Sequence, residues 1–201
     1  MRGYLFLPRN VMGLLTAFIA FTLYKSWTAS SSPVMESSNG PVAGLELKLV
    51  PTGGDANPWA IDATVTNNND YPVTILNYNS PFDPLSIKLG LFKITPEGTA
   101  EPIKYPTIAI RRIWPPKRDS LITIQPGQSH SKSFNIKEIP SSRDWDWDQF
   151  TVVLKGKWDG VWSTAADEVS QESLEDPVGS PEAHQGEFAS EPVTLKRKKQ
   201  S

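Results

Sequence analysis

The 201-residue sequence contains no cysteine and only two histidines. The absence of cysteine excludes disulfide bonds, thiolate nucleophiles and cysteine-ligated metals. His130 and His184 lie far apart, and neither belongs to an H-E-x-x-H helix, so they do not indicate a zinc site. The formal net charge of −2 provides no overall basic field that would attract nucleic acid. We therefore expect no metal, no cofactor and no nucleic-acid partner.

Motifs for enzymatic catalysis are also missing. The sequence has neither a G-x-S-x-G nucleophile elbow nor a glycine-rich phosphate loop. Residues 144–148 alternate aspartate with Trp145 and Trp147, and acids beside tryptophans suggest carbohydrate binding or glycoside hydrolysis. A calcium site that adds Asp159 is another alternative. We favour a simpler interpretation, in which the tryptophans cap a core and the acids face water, and we expect the protein not to be an enzyme.

Long apolar runs are absent except near the N-terminus. Residues 11–24 are uncharged and mainly apolar, and they follow the basic residues Arg2 and Arg9. This run is shorter than the roughly 20 residues that span a bilayer, and it fits the apolar part of a signal peptide. The sequence therefore predicts a signal peptide or an uncleaved signal anchor over 1–30, followed by a linker over 31–43. Both alternatives place the rest of the chain outside the cytosol, in contact with a membrane only through this segment.

Helix-forming patterns are scarce after this segment, while strand patterns are frequent. Prolines outnumber glycines by 18 to 13, which argues against long helices. Apolar and polar residues alternate in short runs separated by turn residues, as in half-buried strands. The predicted strands cover residues 45–49, 59–66, 73–78, 84–94, 103–113, 121–125, 131–136, 150–154 and 192–195. Pro126 and Gly127 predict a hairpin turn. We expect an all-β, immunoglobulin-like antiparallel sandwich over 44–166.

The end of the chain changes in charge. Residues 167–191 carry eight acidic side chains and no lysine or arginine. Such a segment buries too little apolar surface to offset its ordering entropy, which predicts a disordered acidic loop. A last short strand and a basic tail follow over 192–201. The tail contains the dibasic pair Lys196 and Arg197.

Two sets of residues are candidates for a ligand or partner surface. Arg111 and Arg112 precede Trp114 and two prolines, and this basic, aromatic patch could bind an acidic partner or the chain's own acidic loop. A solvated loop is the simpler interpretation of the same residues. The second set consists of tryptophans that could stack on sugars, namely Trp145, Trp147, Trp158 and Trp162.

Several segments resemble the N-terminal propeptide of the fungal deuterolysins, which are secreted neutral zinc proteases. The resemblance covers roughly residues 44–154 and rests on 44–49 (GLELKL), 63–67 (ATVTN), 75–83 (ILNYNSPFD), 87–93 (IKLGLFK), Arg111-Arg112, 121–136 (LITIQPGQSHSKSFNI) and 150–154 (FTVVL). It implies a β-rich domain that assists the folding of a protease or covers its active site. Lys196-Arg197 resembles the dibasic site at which such propeptides are cut. The zinc-binding helix and the cysteines of the protease domain are missing, so hydrolase activity is not implied.

These observations together predict a non-catalytic, secretory-pathway β-sandwich. The resemblance favours a protein-binding, folding-assistance or protease-inhibitory module that acts on a protease or another protein in trans. The alternatives are a carbohydrate-binding or cell-wall-binding module and a fragment of a secreted metalloprotease precursor. The sequence leaves the oligomeric state open.

Overall fold

A computed structural model describes residues 40–54, 57–139 and 148–196. The predicted signal or anchor over 1–30, most of the linker, Trp145, Trp147 and Arg197 lie outside the described residues. Within the described ranges, no helix is long and apolar enough to cross a membrane.

The described residues form two antiparallel sheets. The strands are β1 (Leu45–Pro51), β2 (Ala60–Asn67), β3 (Val73–Leu76), β4 (Phe92–Pro96), β5 (Leu121–Ile124), β6 (Ser129–Asn135), β7 (Gln149–Trp162), β8 (Ala183–Ala189) and β9 (Val193–Lys196). One sheet has the order β1-β2-β6, and the other has the order β4-β7-β3-β5, with β8 and β9 also paired to β7. The helical elements are α1 (Gln171–Glu175) and single 3-10 turns at Pro41–Gly44, Arg118–Ser120 and Ile136–Glu138. The prediction of an all-β antiparallel fold is confirmed.

Strand β2 shows why the sequence folds in this way. Ile61, Ala63 and Val65 are fully buried, while the residues between them remain partly exposed on the outer face. Successive side chains of a strand point to opposite faces, so this alternation directs one face to the core. On the outer face, the hydroxyls of Thr64 and Ser131 are hydrogen-bonded at 2.8 Å and tie β2 to β6.

The apolar side chains form two clusters. The main core lies between the sheets and includes β2 side chains together with Phe92, Phe150, Val152 and Leu154 from the second sheet. A smaller cluster forms around the last residue of β7 and the adjoining ends of β3 and β5. Its members are Leu76, Leu121, Trp162, Val169 and Leu174.

The prediction of a disordered acidic loop over 167–191 is wrong, because part of this segment packs into the smaller cluster. Val169 and Leu174 are buried in it, and the indole Nε1–H of Trp162 donates to Ser173 Oγ at 2.7 Å. The same range contains α1 and strand β8, which pairs with β7. A few well-placed apolar residues and a strand pairing therefore order a segment whose average composition is acidic and polar. The sandwich continues past residue 166 to the end of β9.

The predicted strand over 103–113 is wrong, since this segment is an extended strap without strand pairing. The strap is attached at a few points. The N–H of Ile103 donates to Ile94 O at 2.8 Å, and the Tyr105 hydroxyl donates to Phe92 O at 2.7 Å. Pro102 and Pro106 lack the N–H groups that a continuous ladder requires.

Two further predictions need correction. Pro126 and Gly127 do not close a hairpin, because β5 pairs with β3 in one sheet and β6 pairs with β2 in the other. The buried Asn67 side chain supports this crossing, since its Nδ2 donates to Ile124 O at 2.9 Å while Gly127 N–H donates to Asn67 O at 2.8 Å. Of the strand predicted over 84–94, only the part from Phe92 onward pairs, and turns precede it.

Candidate functional site

A surface groove lies where the C-terminal half of β7 and the N-terminal half of β8 meet the end of the strap. We call it the aromatic groove. It has a volume of about 510 Å³ and is lined by Trp114, Lys157, Trp158, Asp159, Val178, Gln185 and Gly186. Trp114 is 50% exposed and Val178 is 79% exposed. The indole Nε1–H of Trp114 donates to Glu175 O at 2.8 Å, which fixes the orientation of the ring.

An ion pair anchors the strap two residues before Trp114. The Arg112 guanidinium donates to the Asp83 carboxylate, whose side chain is only 1% exposed. The backbone N–H groups of Asn79 and Leu85 donate to the same carboxylate at 2.8 and 2.9 Å. The Arg112 guanidinium also lies 4.7 Å from the centre of the Tyr78 ring, a cation–π distance. The strap is therefore bound to the core by a charged group that is largely removed from water.

The loop before Asp83 also places the carboxylate of the groove. Asn79 has a φ of +53°, in the left-handed region that asparagine tolerates better than most residues. Its side-chain Nδ2 donates to Asp159 Oδ2 at 2.7 Å. This bond holds Asp159 at the rim of the groove. Among the described residues, no group of three or more histidine or carboxylate side chains could hold a metal ion.

A second depression adjoins the aromatic groove on the outer face of β4, β7 and β8. Its volume is about 620 Å³, and Lys157 lines both depressions. We call this surface the lysine face, after Lys93, Lys155 and Lys157. Leu89 and Leu91 contribute apolar side chains to its walls, while Phe188, which also borders it, packs its ring against Trp158 in the core.

The structure separates the predicted tryptophan platforms. Trp158 is 3% exposed and lies 4.7 Å from the Phe188 ring, and Trp162 is 1% exposed in the smaller cluster. Burial on this scale leaves no ring face free to stack on a sugar, so the prediction for these two residues is wrong. Among the described tryptophans, Trp114 is the exposed one. The prediction for Trp145 and Trp147 falls outside the described residues.

The basic patch is also divided. Arg111 is exposed, but the charge of Arg112 is directed inward to Asp83, so Arg112 anchors the strap. Lys196 is exposed at the end of β9. His130 lies in β6 with its ring 4.8 Å from that of Phe82, while His184 lies in β8.

Sequence reasoning missed Val178 and Gln185, because it treated their segment as disordered. Lys155 and Lys157 gave a usable signal that was overlooked. They are two residues apart just beyond the strand predicted over 150–154, and if that strand is continued the two side chains lie on one face.

Comparison with known proteins agrees with the fold. Residues 44–197 match the immunoglobulin-like domain family. An uncharacterized secreted protein of Arthroderma benhamiae is 29% identical over 184 residues, which cover 89% of each chain. This relative confirms the predicted location outside the cytosol. Because the family match encloses every strand from β1 to β9, the chain belongs to the immunoglobulin-like domain family.

Proposed function

We propose that this secreted immunoglobulin-like domain is a non-catalytic module that binds another protein through the aromatic groove. In keeping with the resemblance to deuterolysin propeptides, the partner is a secreted zinc protease that the domain assists in folding or inhibits in trans. The observation that carries the proposal is Trp114, which is half-exposed and yet held in one orientation by its bond to Glu175 O.

The exposed apolar residues support protein binding. Ile113, the last residue of the strap, is 65% exposed and precedes Trp114 directly, and Val178 lines the same groove as Trp114. Exposed apolar side chains gathered at one place mark interaction sites on soluble proteins. Tryptophan is also enriched among the residues that dominate binding energy at protein interfaces.

The ionisable groups of the groove support binding without turnover. They are Lys157 and Asp159, and neither histidine is among the lining residues. Asp159 accepts a hydrogen bond from Asn79, which holds it in place beside the indole. The described residues that line the groove include no serine, threonine, cysteine or histidine, so its lining offers no hydroxyl or thiol nucleophile and no imidazole base.

A carbohydrate-binding module is the second candidate. The Trp114 indole lies in one groove with Asp159 and Gln185, whose polar groups could bond to sugar hydroxyls. This candidate predicts that soluble cell-wall oligosaccharides quench or shift the fluorescence of Trp114.

The test is binding and inhibition of a purified deuterolysin-class zinc protease by the purified full chain. We expect a complex whose affinity falls roughly 30-fold in Trp114→Ala, the loss typical of a central interface tryptophan. Val50→Ala is the matched control, because Val50 is 45% exposed on β1 of the other sheet.

Two outcomes would contradict the proposal. One is a folded domain that neither binds nor inhibits the protease. The other is equal binding by the Trp114→Ala and Val50→Ala variants. Oligosaccharide binding that depends on Trp114, without protease binding, would favour the second candidate.

A further inference from the structure

We propose that the lysine face binds an extended acidic segment of the protein partner, which places two acidic side chains on Lys155 and Lys157 and a following apolar side chain in the aromatic groove. This inference rests on the proposed function and specifies the chemistry of the partner.

The spacing of the lysines favours an extended chain. Lys155 and Lys157 are two residues apart on β7, so their side chains share the outer face and are separated by about 6.7 Å along the strand. An extended peptide presents the side chains of alternate residues on one face at the same interval. Acidic residues at positions 1 and 3 of such a peptide therefore match the two ammonium groups.

The charge of the lysine face is only partly balanced. The Lys157 Nζ lies 3.9 Å from Glu187 Oε1, and both side chains are highly exposed, so the pair is weak. The Lys93 Nζ donates to Gly90 O at 2.7 Å and retains two further N–H donors. In the described part of the chain, no carboxylate pairs with Lys93 or Lys155. This face is thus locally basic on a chain whose net charge is −2.

Continuity with the aromatic groove favours a peptide over other anions. Lys157 lines both depressions, so a peptide that continues along β7 places its fifth residue over Asp159, which lines the aromatic groove together with Trp114 and Val178. An apolar side chain at that position would cover the exposed indole. An anionic polysaccharide could pair with the lysines, but it has no apolar side chain for the groove. The expected pattern is acidic-x-acidic-x-apolar, read in either chain direction.

The test uses the full chain and a fluorescein-labelled peptide of sequence Asp-Thr-Asp-Thr-Leu, with binding measured by fluorescence anisotropy. We expect Lys155→Glu to weaken binding about tenfold, because it converts an attraction into a repulsion, and Lys155→Arg to retain binding. The matched control is Lys48→Glu, which makes the same change of charge at an exposed site on β1. Raising the salt concentration should weaken binding of the wild type, because salt screens exposed charges.

The probe peptides separate the contributions. Replacing the leucine with serine should weaken binding, and replacing both aspartates with lysines should abolish it. The inference is overturned if Lys155→Glu and Lys48→Glu bind the peptide equally. It is also overturned if polygalacturonate binds with higher affinity than the peptide and the serine peptide binds as well as the leucine peptide, which would assign the face to an anionic glycan.

Failure of the inference about the lysine face can be distinguished from failure of the proposed function. If Trp114→Ala abolishes protease binding while Lys155→Glu leaves it unchanged, the protein-binding role stands and the lysine face has no part in it. If the wild-type chain does not bind the protease but binds the acidic peptide, and Lys155→Glu abolishes that binding, the lysine face binds acidic segments and the proposed partner is wrong.

Discussion

Replacing Arg112 with methionine tests whether the ion pair with Asp83 holds the strap that carries Trp114. The Asp83 side chain is 1% exposed and that of Arg112 is 22% exposed, so the pair is largely shielded from solvent. Methionine preserves much of the aliphatic length and removes the charge. The Asp83 carboxylate would then remain buried without its counter-ion.

The expected loss follows from what remains around Asp83. Breaking a buried ion pair by removing one partner costs about 3–5 kcal/mol of stability. The N–H groups of Asn79 and Leu85 still donate to the carboxylate after the substitution, which places the loss near the lower end. We expect the free energy of unfolding to fall by about 3 kcal/mol in Arg112→Met.

Urea denaturation followed by tryptophan fluorescence measures this change, with Arg111→Met as the matched control because Arg111 is exposed. A double-mutant cycle with Asp83→Asn isolates the interaction, and we expect a coupling energy of about 2 kcal/mol. Equal midpoints for the Arg111 and Arg112 variants, or a coupling energy near zero, would refute the role given to this pair.

The ordered acidic segment and the strap give two further predictions. Leu174→Ala should lower the free energy of unfolding by about 2–5 kcal/mol, because Leu174 is buried in the smaller cluster. If Leu174→Ala changes the urea midpoint no more than a substitution at an exposed site does, the segment is not packed in the cluster, and the prediction of a disordered loop would be correct. Burial raises the pKa of Tyr105 from 10.0 to about 12, so the folded state holds this proton more tightly than the unfolded state. The resulting stabilisation is fully present below pH 10 and is lost toward pH 12, so thermal unfolding midpoints should fall more steeply across this range in the wild type than in Tyr105→Phe. Parallel profiles would contradict the prediction.

The strands that sequence predicts well are those whose local pattern decides their burial. In β2, strict alternation around Ile61, Ala63 and Val65 fixes both the strand and its inward face. The register also follows from it, since a slip of one residue would turn the apolar set outward. The pattern does not identify the sheet that a strand joins, so Pro126 and Gly127 suggested a hairpin where the chain crosses between sheets.

The errors in the second half of the chain have a common physical cause. Over 167–191 the average composition is acidic and polar, so it gave no indication that Val169 and Leu174 are buried. These two side chains need only a complementary apolar surface to become buried. That surface is supplied by Trp162, from a strand that precedes the segment in sequence. Over 103–113 the apolar residues suggested a strand, but long-range bonds to Ile94 and Phe92 determine the path of the strap.

The candidate site was predictable only in part, because it combines residues whose roles depend on their partners. Trp114 and Arg112 are close in sequence, yet one is exposed in the groove and the other is turned toward Asp83. The charge of an arginine indicates a binding surface only when no internal carboxylate neutralises it. Sequence alone could not place Asp83 beside Arg112, since the turns between β3 and β4 bring them together.

Strand β7 provides a rigid backbone for the proposed binding of an extended partner to the lysine face and the aromatic groove. Its N-terminal half pairs with β4 and β9, and its C-terminal half pairs with β8, which lies opposite both Lys155 and Lys157, and at its end with β3. Lys155 and Lys157 therefore project from a backbone fixed by the sheet rather than from a loop. Because the receptor surface is ordered before binding, the entropy lost on association falls mainly on the partner segment. A partner already extended in its free state should consequently bind more tightly than a flexible one of the same sequence.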